Sequence, residues 1–594
     1  MNTIIERIAA LRLWMKEQHI DTFIIPSNDP HFSEYIANHW KSRTWISGFT
    51  GSAGTVVVTA KNAALWTDSR YFLQADKQLN DTGIELKKLK MPGTESIKQW
   101  LQNQLAGGSK VGIDGKLFSV TEYKYLKKSL APLELLITTD PFIDIWKDRP
   151  KLPNEKVYLL PDEITGKNRK DKLNNVIQAG KFNNSVYIVT ALDEIAWLLN
   201  LRGNDVKFNP VAISYAVIDF PAVHLFIASD KLPDNDRTML EKDGTHIHPY
   251  SMFDEFLHQT DKNKQVIVNP HKLDIHAYNI LYNNGIQIKE ETDANGVIAS
   301  LKAIKNETEI EGFRKAMVAD GVAMVRFLRW LEENVGINPV TEISAGEKLY
   351  EFRAQHPDFV DESFGVISAY KDHGALPHYS ATGESNVELK PEGFYLVDSG
   401  GQYRYGTTDI TRTIHLGTPT SHAKEDYTLV LKGMINLSRA KFPAGTRGTQ
   451  LDILARIFLW NKGKNFLHGT GHGVGHFLNV HEGTQSIRME ENPVVLQPGM
   501  VTSNEPAVYI FKQYGIRTEN LIACRKFEQT DFGDFYEFET LTLCPIETKP
   551  IDMLLLEKDE REWLNNYHEM VFDKLSPFLS EDEKNWLQEK TKAI

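Results

Sequence analysis

Apolar residues at Ile4, Ile5, Ile8 and Leu11 recur at three- to four-residue spacing, which predicts a helix at the start of the chain. Glu6, Arg7 and Arg12 interrupt that run and no cleavage-type segment follows, so it does not read as a signal peptide. The pattern then turns to short apolar runs rich in β-branched residues. Two stretches follow the same course: IDTFIIPSNDPHFSEYI with WISGFTGSAGTVVVTAKNAALWTDSRYF, and VYIVTALDEIAWLLNLRG with FNPVAISYAVI and VHLFIAS. In each, an apolar strand leads to an acidic residue, Asp29 or Asp193, that is expected to open a helix. A glycine turn and paired β-rich strands come next, and together they predict a duplicated α/β domain. The join, DPFIDIWKDRPKLPNEK, carries Pro141, Pro150 and Pro153. The glycine-rich SGFTGSAGT is expected to be a tight turn between strands, since no Lys-Ser/Thr pair follows it.

The period changes again near residue 305. Asn306 and Glu309 form a capping-box pattern, and Ile310, Phe313, Met317, Met324, Leu328 and Leu331 then recur at helical spacing. Short β-like runs with glycine turns follow, and the last forty or so residues return to charged, helical periodicity. The predicted organisation is α/β (α+β). It has α/β domains at 1–147 and 148–304, the second a repeat of the first, and a third domain at 305–594 with a helical tail.

Composition narrows the classes. At 594 residues the chain is too long for one core, and two to four domains are expected. The net charge of −12, without a basic block, argues against nucleic acid or an anionic membrane as the partner. No apolar run approaches the ~20 residues of a membrane helix, so the expected location is the cytoplasm. Only Cys524 and Cys544 are present, which excludes a disulfide framework and a cysteine-based zinc site. Both are expected to be buried thiols.

The candidate chemistry centres on HGTGHGVGHFLNVHEG, residues 468–483. His468 and His472 are four apart, but Gly469, Gly471, Gly473 and Gly475 would each cost a helix roughly 1 kcal/mol. A glycine-rich loop running into a short strand, FLNVH, is expected instead, able to supply one metal ligand. Carboxylates must come from elsewhere. GFYLVDSGGQYRYGTTDITRTIHLG reads as a β-hairpin with Asp398 in one arm and Asp409 in the other. GMVTSNEPAVYIFKQYGIRTENLIAC reads as two further strands carrying Glu505 and Glu519. Oxygen-rich sites with one nitrogen suit manganese, cobalt or zinc. Four carboxylates exceed what one divalent ion neutralises, so two ions and metal-assisted hydrolysis are expected.

The order Asp398, Asp409, His472, Glu505, Glu519 resembles the pita-bread metallopeptidases, the group of methionine aminopeptidase, prolidase and aminopeptidase P. LWTDSRYFLQA, LLNLRG, KAIKNETEIEGFRKA, YGTTDITRT, HGTGHGVG, FLNVHEG, YGIRTEN and REWLNNYH are similar to the three-domain, cytosolic type of aminopeptidase P. That resemblance implies two creatinase-N-terminal-like domains ahead of a pita-bread catalytic domain. It implies that Asp398, Asp409, His472, Glu505 and Glu519 are metal ligands, with Asp409 and Glu519 bridging and Glu505 also shuttling a proton. His378 and His481 match histidines that contact substrate, His468 an outer histidine named in catalysis, and Arg517 an arginine that fixes a carboxylate. Arg70 matches an arginine that reaches peptide from the partner subunit of a dimer. Two positions depart from the pattern: Ala507 stands where glycine usually follows Glu-Pro, and His476 where serine is common. His476 is expected to be structural.

The activity so implied is release of the residue before proline from a peptide N-terminus, by a homodimer holding two divalent ions, manganese first and zinc or cobalt as alternatives. The Xaa–Pro bond is a tertiary amide without an N–H, which a generic peptidase cannot grip. A prolidase restricted to dipeptides is the alternative, and its front end normally has one domain. A metal-free relative of the creatinase kind, or a binding protein that reuses the fold, is disfavoured because no ligand is missing.

Overall fold

In a computed structural model, which describes residues 3–182 and 184–594, the first helix, α1 (Thr3–Glu17), buries Ile4, Ile8, Leu11, Trp14 and Met15. Ile5 is 53% exposed. One position is a turn of roughly 100°, and it carries Ile5 out of the stripe that its neighbour Ile4 begins. Asp29 does not open a helix. Its carboxylate accepts from the backbone N–H groups of His31 and Ser33, an Asx-type turn that competes with helix formation. Asp193 does lie in the first turn of one, α2 (Leu192–Leu198). SGFTGSAGT joins a helix to a strand rather than two strands, because Gly48 takes a left-handed cap (φ 74°) that ends the helix Ser42–Ser47.

The chain divides into two units. The first comprises residues 1–160, 169–207 and 211–298, and the second 161–168, 208–210 and 299–594. The first unit holds two six-stranded sheets. One contains β1 (Thr22–Ile25), β2 (Thr55–Thr59), β3 (Ala63–Thr67), β4 (Glu85–Lys88), β5 (Lys110–Asp114) and β6 (Glu134–Thr138), in the order β4-β3-β2-β1-β5-β6. The other contains β7 (Ser185–Val189), β8 (Ser214–Asp219), β9 (Ala222–Ile227), β10 (Thr245–His248), β11 (Gln265–Val268) and β12 (Gln287–Glu290), in the order β10-β9-β8-β7-β11-β12. The sense also matches: the pairs β1–β2 and β7–β8 are antiparallel, while β1–β5 and β7–β11 are parallel. In both sheets the central strands are buried over FII, VVV and VYIV, which is why these read as unbroken apolar runs.

The second unit begins with α3 (Glu307–Asn334). The capping box is formed: Asn306 accepts from the Glu309 backbone, and the Glu309 carboxylate accepts from the Asn306 N–H. All six apolar residues expected on its inner face are buried. Next come α4 (Glu342–Arg353) and an antiparallel sheet of β13 (Ile367–Tyr370), β14 (Phe394–Ser399) and β15 (Ile410–His415). A larger antiparallel sheet contains β16 (Lys441–Pro443), β17 (Gly471–Gly473), β18 (Glu482–Ile487) and β19 (Val501–Asn504). After the hairpin β20 (Ala507–Ile510) and β21 (Tyr514–Arg517), β22 (Asn520–Thr530) and β23 (Gly533–Thr540) complete that sheet in the order β16-β23-β22-β19-β17-β18. Helices α5 (Ser421–Ser438) and α6 (Gly448–Trp460) lie between β15 and β17 in sequence, and α7 (Lys558–Leu575) and α8 (Glu581–Lys590) form the tail. Phe313, Met317, Val430, Met434, Leu564 and Val571 bring α3, α5 and α7 into one core. Each such side chain contributes about 1.5–3 kcal/mol when fully buried. Cys524 and Cys544 are free and buried, and burial pushes their thiols up to about 12 and about 11.

The expected strand over FLNVH does not form. Phe477 has φ 47°, and the Gly475 N–H donates to the Asn479 carbonyl, so the segment is a buried turn between β17 and β18. Its exit is pinned by charge. The Glu482 carboxylate takes Lys302 Nζ and Lys305 Nζ, each at 2.5 Å, with all three side chains at most 2% exposed. Removing one partner of a buried ion pair leaves an uncompensated charge at a cost of about 3–5 kcal/mol. Glu482→Ala is therefore expected to destabilise the fold by an amount in that range, seen as a lower urea midpoint of unfolding. An unchanged midpoint would show that the two lysines do not depend on the carboxylate.

Candidate metal centre

Asp398 lies in β14, the central strand of the three-stranded sheet, opposite Thr411 of β15. Asp409 stands just before β15 rather than inside it, Glu505 just after β19, and Glu519 between β21 and β22. Three of the four carboxylates therefore sit at strand ends, where the backbone is free to aim them inward. Two backbone hydrogen bonds bring the strands together: Glu519 N–H to Thr411 O at 3.1 Å, and Glu505 N–H to Thr470 O at 2.8 Å. His472, in β17, donates Nδ1–H to the Gly473 carbonyl at 2.9 Å. That bond fixes the ring and aims Nε2 at Asp409 Oδ2 (3.4 Å) and Glu505 Oε1 (3.6 Å). The glycines flanking it are required by space. A Cβ on Gly471 would lie 1.9 Å from Ser503 O, and one on Gly473 would lie 2.3 Å from Glu482 O.

The electrostatics are those of a site short of positive charge. Burial pushes the Glu505 carboxyl up to about 7, against the pull of His472 and Arg517. Burial raises Asp398 as well, with Arg517 opposing the rise and Asp409 adding to it. Glu519 is lifted well above the carboxylate range by burial and by its three acidic neighbours. His472 moves the other way from a buried histidine. Burial disfavours its charge, but the hydrogen bond to Asp409 and the nearby carboxylates outweigh that and push it up to about 9.

The residues fit a bound metal. Asp409, His472 and Glu519 each bring a ligand atom within 4.8 Å of the others. Among the described residues, Asp398 Oδ1 is buried without a hydrogen-bond partner, an arrangement that a cation resolves. The donor set is one imidazole nitrogen and carboxylate oxygens.

Around this cluster the remaining expected residues divide. Arg517 donates Nη2 to Asp398 Oδ2 at 2.5 Å and Nε to Thr411 Oγ1 at 3.1 Å. The His481 ring meets that of His472 edge-on, with centroids 4.4 Å apart. His468 donates Nδ1–H to the Gly469 carbonyl and accepts at Nε2 from the Tyr509 hydroxyl at 2.8 Å, with Glu505 Oε2 3.9 Å away. Burial and Arg517 push it down to about 3, so it is neutral at physiological pH. His378 is exposed, on a loop. His476 is buried, 4.0 Å from Glu309 and edge-on to Phe313, and it touches the capping box of α3 rather than the cluster. Arg70 belongs to the other unit, where its guanidinium pairs with both carboxylate oxygens of Asp68.

Three contributors were not expected. Thr411 donates its hydroxyl to Glu519 Oε2 at 2.6 Å. It lies two residues after Asp409 in a stretch that reads in sequence as one strand, a same-face spacing that could have marked it. The Tyr509 hydroxyl joins His468 to Arg517 Nη1 (2.6 Å), and burial pushes it up to about 12. Arg412 donates Nη1 to the Glu519 carbonyl at 2.6 Å from behind the cluster. Neither Tyr509 nor Arg412 has a distinguishing spacing in sequence.

The model of metallopeptidase family M24 matches residues 311–526, and that of its C-terminal region matches residues 534–594. Models of the creatinase/prolidase N-terminal domain match twice, at residues 7–145 and 148–309. Xaa-Pro aminopeptidase 1 of Dictyostelium discoideum is 40% identical, over 100% of this chain and 97% of its own length. The structure of X-prolyl aminopeptidase from Caenorhabditis elegans, described as a cytosolic enzyme with a di-nuclear active site, is similar at TM-score 0.92 and 34% identity, covering 100% of both chains. The prolidase of Pyrococcus horikoshii is alike in fold, at TM-score 0.50 and 24% identity, over 64% of this chain and 99% of its own. With an M24 domain, two creatinase/prolidase-type domains before it, and a full-length relative at 40% identity, the chain belongs to metallopeptidase family M24.

Proposed function

We propose that this chain hydrolyses the N-terminal Xaa–Pro bond of peptides, as a metal-dependent aminopeptidase. One observation carries the reading. Asp398, Asp409, His472, Glu505 and Glu519 converge from two sheets on one buried point, and Arg517 is the arginine paired there. The five would hold two divalent ions, manganese first. When bound, such ions supply an acidified water and a polarised carbonyl at neutral pH.

The chain's own residues do the rest. Glu505, with Oε1 3.6 Å from His472 Nε2, is suited to accept a proton at its carboxylate and pass it to the leaving nitrogen. Neutral His468 stands on its far side and is held in one tautomer by Gly469 and Tyr509. His481, against the ligand His472, is placed to hydrogen-bond the scissile carbonyl as charge develops on it, and His378 is assigned the same substrate face. Arg517 fixes Asp398 and opposes the rise that burial imposes on it.

Several finer assignments belong to this proposal and rest on the family resemblance. They are domain limits at 1–147, 148–304 and 305–594, a cytoplasmic location and a homodimer. Arg70 would then reach peptide bound by the partner subunit. Among the described residues, no helix is long and apolar enough to cross a membrane. The second reading, a prolidase confined to dipeptides, is disfavoured by the full-length match to Xaa-Pro aminopeptidases.

The assay is direct. With manganese, the chain is expected to release the first residue of an Xaa-Pro-Xaa peptide and to leave a peptide without second-position proline intact. Cleavage confined to Xaa-Pro dipeptides would favour prolidase, and no cleavage by metal-loaded protein would sink both readings. Asp409→Asn and Glu519→Gln are each expected to reduce bound metal, measured by elemental analysis, and to abolish activity while far-UV circular dichroism is unchanged. His481→Ala is expected to lower kcat by roughly 100-fold or more at full metal occupancy, the cost of losing one donor to a developing oxyanion.

A further inference from the structure

His378 lies on an exposed stretch between β13 and β14, and its place needs a physical account. The stretch has little regular structure of its own beyond one short 3-10 turn, Lys371–Ala375. Its anchorage converges on one side chain. Glu342 opens α4, and its carboxylate is 0% exposed. Oε1 accepts from the Tyr370 N–H and from His373 Nδ1, both at 2.8 Å. Oε2 accepts from the Tyr379 hydroxyl at 2.8 Å and from the Val387 N–H at 3.4 Å.

Those four donors have a pattern. Tyr370 and Val387 mark the two ends of the segment, while His373 and Tyr379 stand on either side of His378 along it. The His373 and Tyr379 rings stack, with centroids 4.4 Å apart. Tyr379 is buried although its neighbour His378 is exposed. The Glu342 backbone adds to the same closure. Its N–H donates to the Val387 carbonyl at 3.1 Å, and its own carbonyl accepts from Ser368 Oγ at 2.6 Å. Ile343 N–H donates to Asn386 Oδ1 at 3.1 Å.

A buried carboxylate is costly unless it is paired and hydrogen-bonded. Here the titratable partner is His373, whose pKa is raised chiefly by this hydrogen bond, rather than an arginine or lysine. An apolar residue would fill the space between α4 and β13 without that cost. What it could not do is hold four separated donors of one loop at fixed positions.

We propose that Glu342 is a positioning residue. Its carboxylate staples both ends of the segment 371–387, through Tyr370, His373, Tyr379 and Val387, and so fixes His378 for substrate. The proposal rests on the reading that His378 contacts substrate, and the test separates the two.

The metal-loaded full chain carrying Tyr379→Phe keeps the buried ring and loses one arm of the staple. It is expected to bind metal normally and to lose on the order of 10-fold in kcat, with KM for an Xaa-Pro-Xaa peptide changed by less than about twofold. Glu342→Gln should lose more, since its amide group places donors against donors. If that variant fails to fold, Tyr379→Phe still decides. In a His378→Ala background, Tyr379→Phe should have little further effect, about twofold or less, because the arm acts through the histidine already removed. Equal losses from Tyr379→Phe in both backgrounds, or a fully active Tyr379→Phe with a crippled His378→Ala, would overturn the staple alone. A fully active His378→Ala would overturn the substrate reading of that histidine and the proposal with it.

Discussion

Four carboxylates in a buried pocket repel one another, and the second unit is organised around that repulsion. Asp398, Asp409 and Glu519 are at most 8% exposed, and Glu505 is half-buried. Burial raises Asp398, Glu505 and Glu519, and their mutual charge raises them further. Only positive charge resolves this. Arg517 supplies part of it at Asp398, and His472 another part at Asp409 and Glu505. The remainder is what divalent ions would provide, so that metal affinity and the packing of two sheets become one problem.

The backbone makes that convergence possible. Neither sheet holds the site alone: Asp398 and Asp409 come from the three-stranded sheet, His472 and Glu505 from the six-stranded one, and Glu519 from the turn between β21 and β22. The hydrogen bond from Glu519 N–H to Thr411 O links the two sheets within the site itself. Gly471 and Gly473 let β17 approach its neighbours more closely than any side chain allows. A ring of polar residues then fixes this cluster. Thr411 holds Glu519, Ser503 holds the His472 backbone, Tyr509 joins His468 to Arg517, and Arg412 grips Glu519 from behind. Such outer contacts set orientation and tautomer, on which both metal affinity and proton transfer depend.

Much of this was legible in the chain. The period of α3 and its Asn306–Glu309 cap can be read directly, because a helix start depends on groups within four residues of one another. The apolar runs of β1 and β7 are equally plain, since burial on both faces removes alternation. Other readings failed where a local competitor decided. Asp29 satisfies two backbone N–H groups in a turn and opens no helix. FLNVH has the composition of a strand, but Phe477 takes a positive φ and the chain turns instead.

Sequence alone supplied the candidates: one histidine, two aspartates and two glutamates in a fixed order, with His378, His468, His481 and Arg517 added by the family resemblance. Asp398 at the end of an apolar strand and His472 among glycines stand out locally, whereas Glu505, Glu519 and His378 do not and are marked by their order within a family resemblance. Tertiary structure decided which of these meet and what holds them. Thr411, Tyr509, Arg412 and Glu342 have ordinary neighbours in sequence. Their roles come from contacts across 8 to 108 residues, such as Arg517 to Tyr509 and Thr411 to Glu519. No local period encodes such contacts, because they exist only once the two sheets have packed and the charges between them must be balanced.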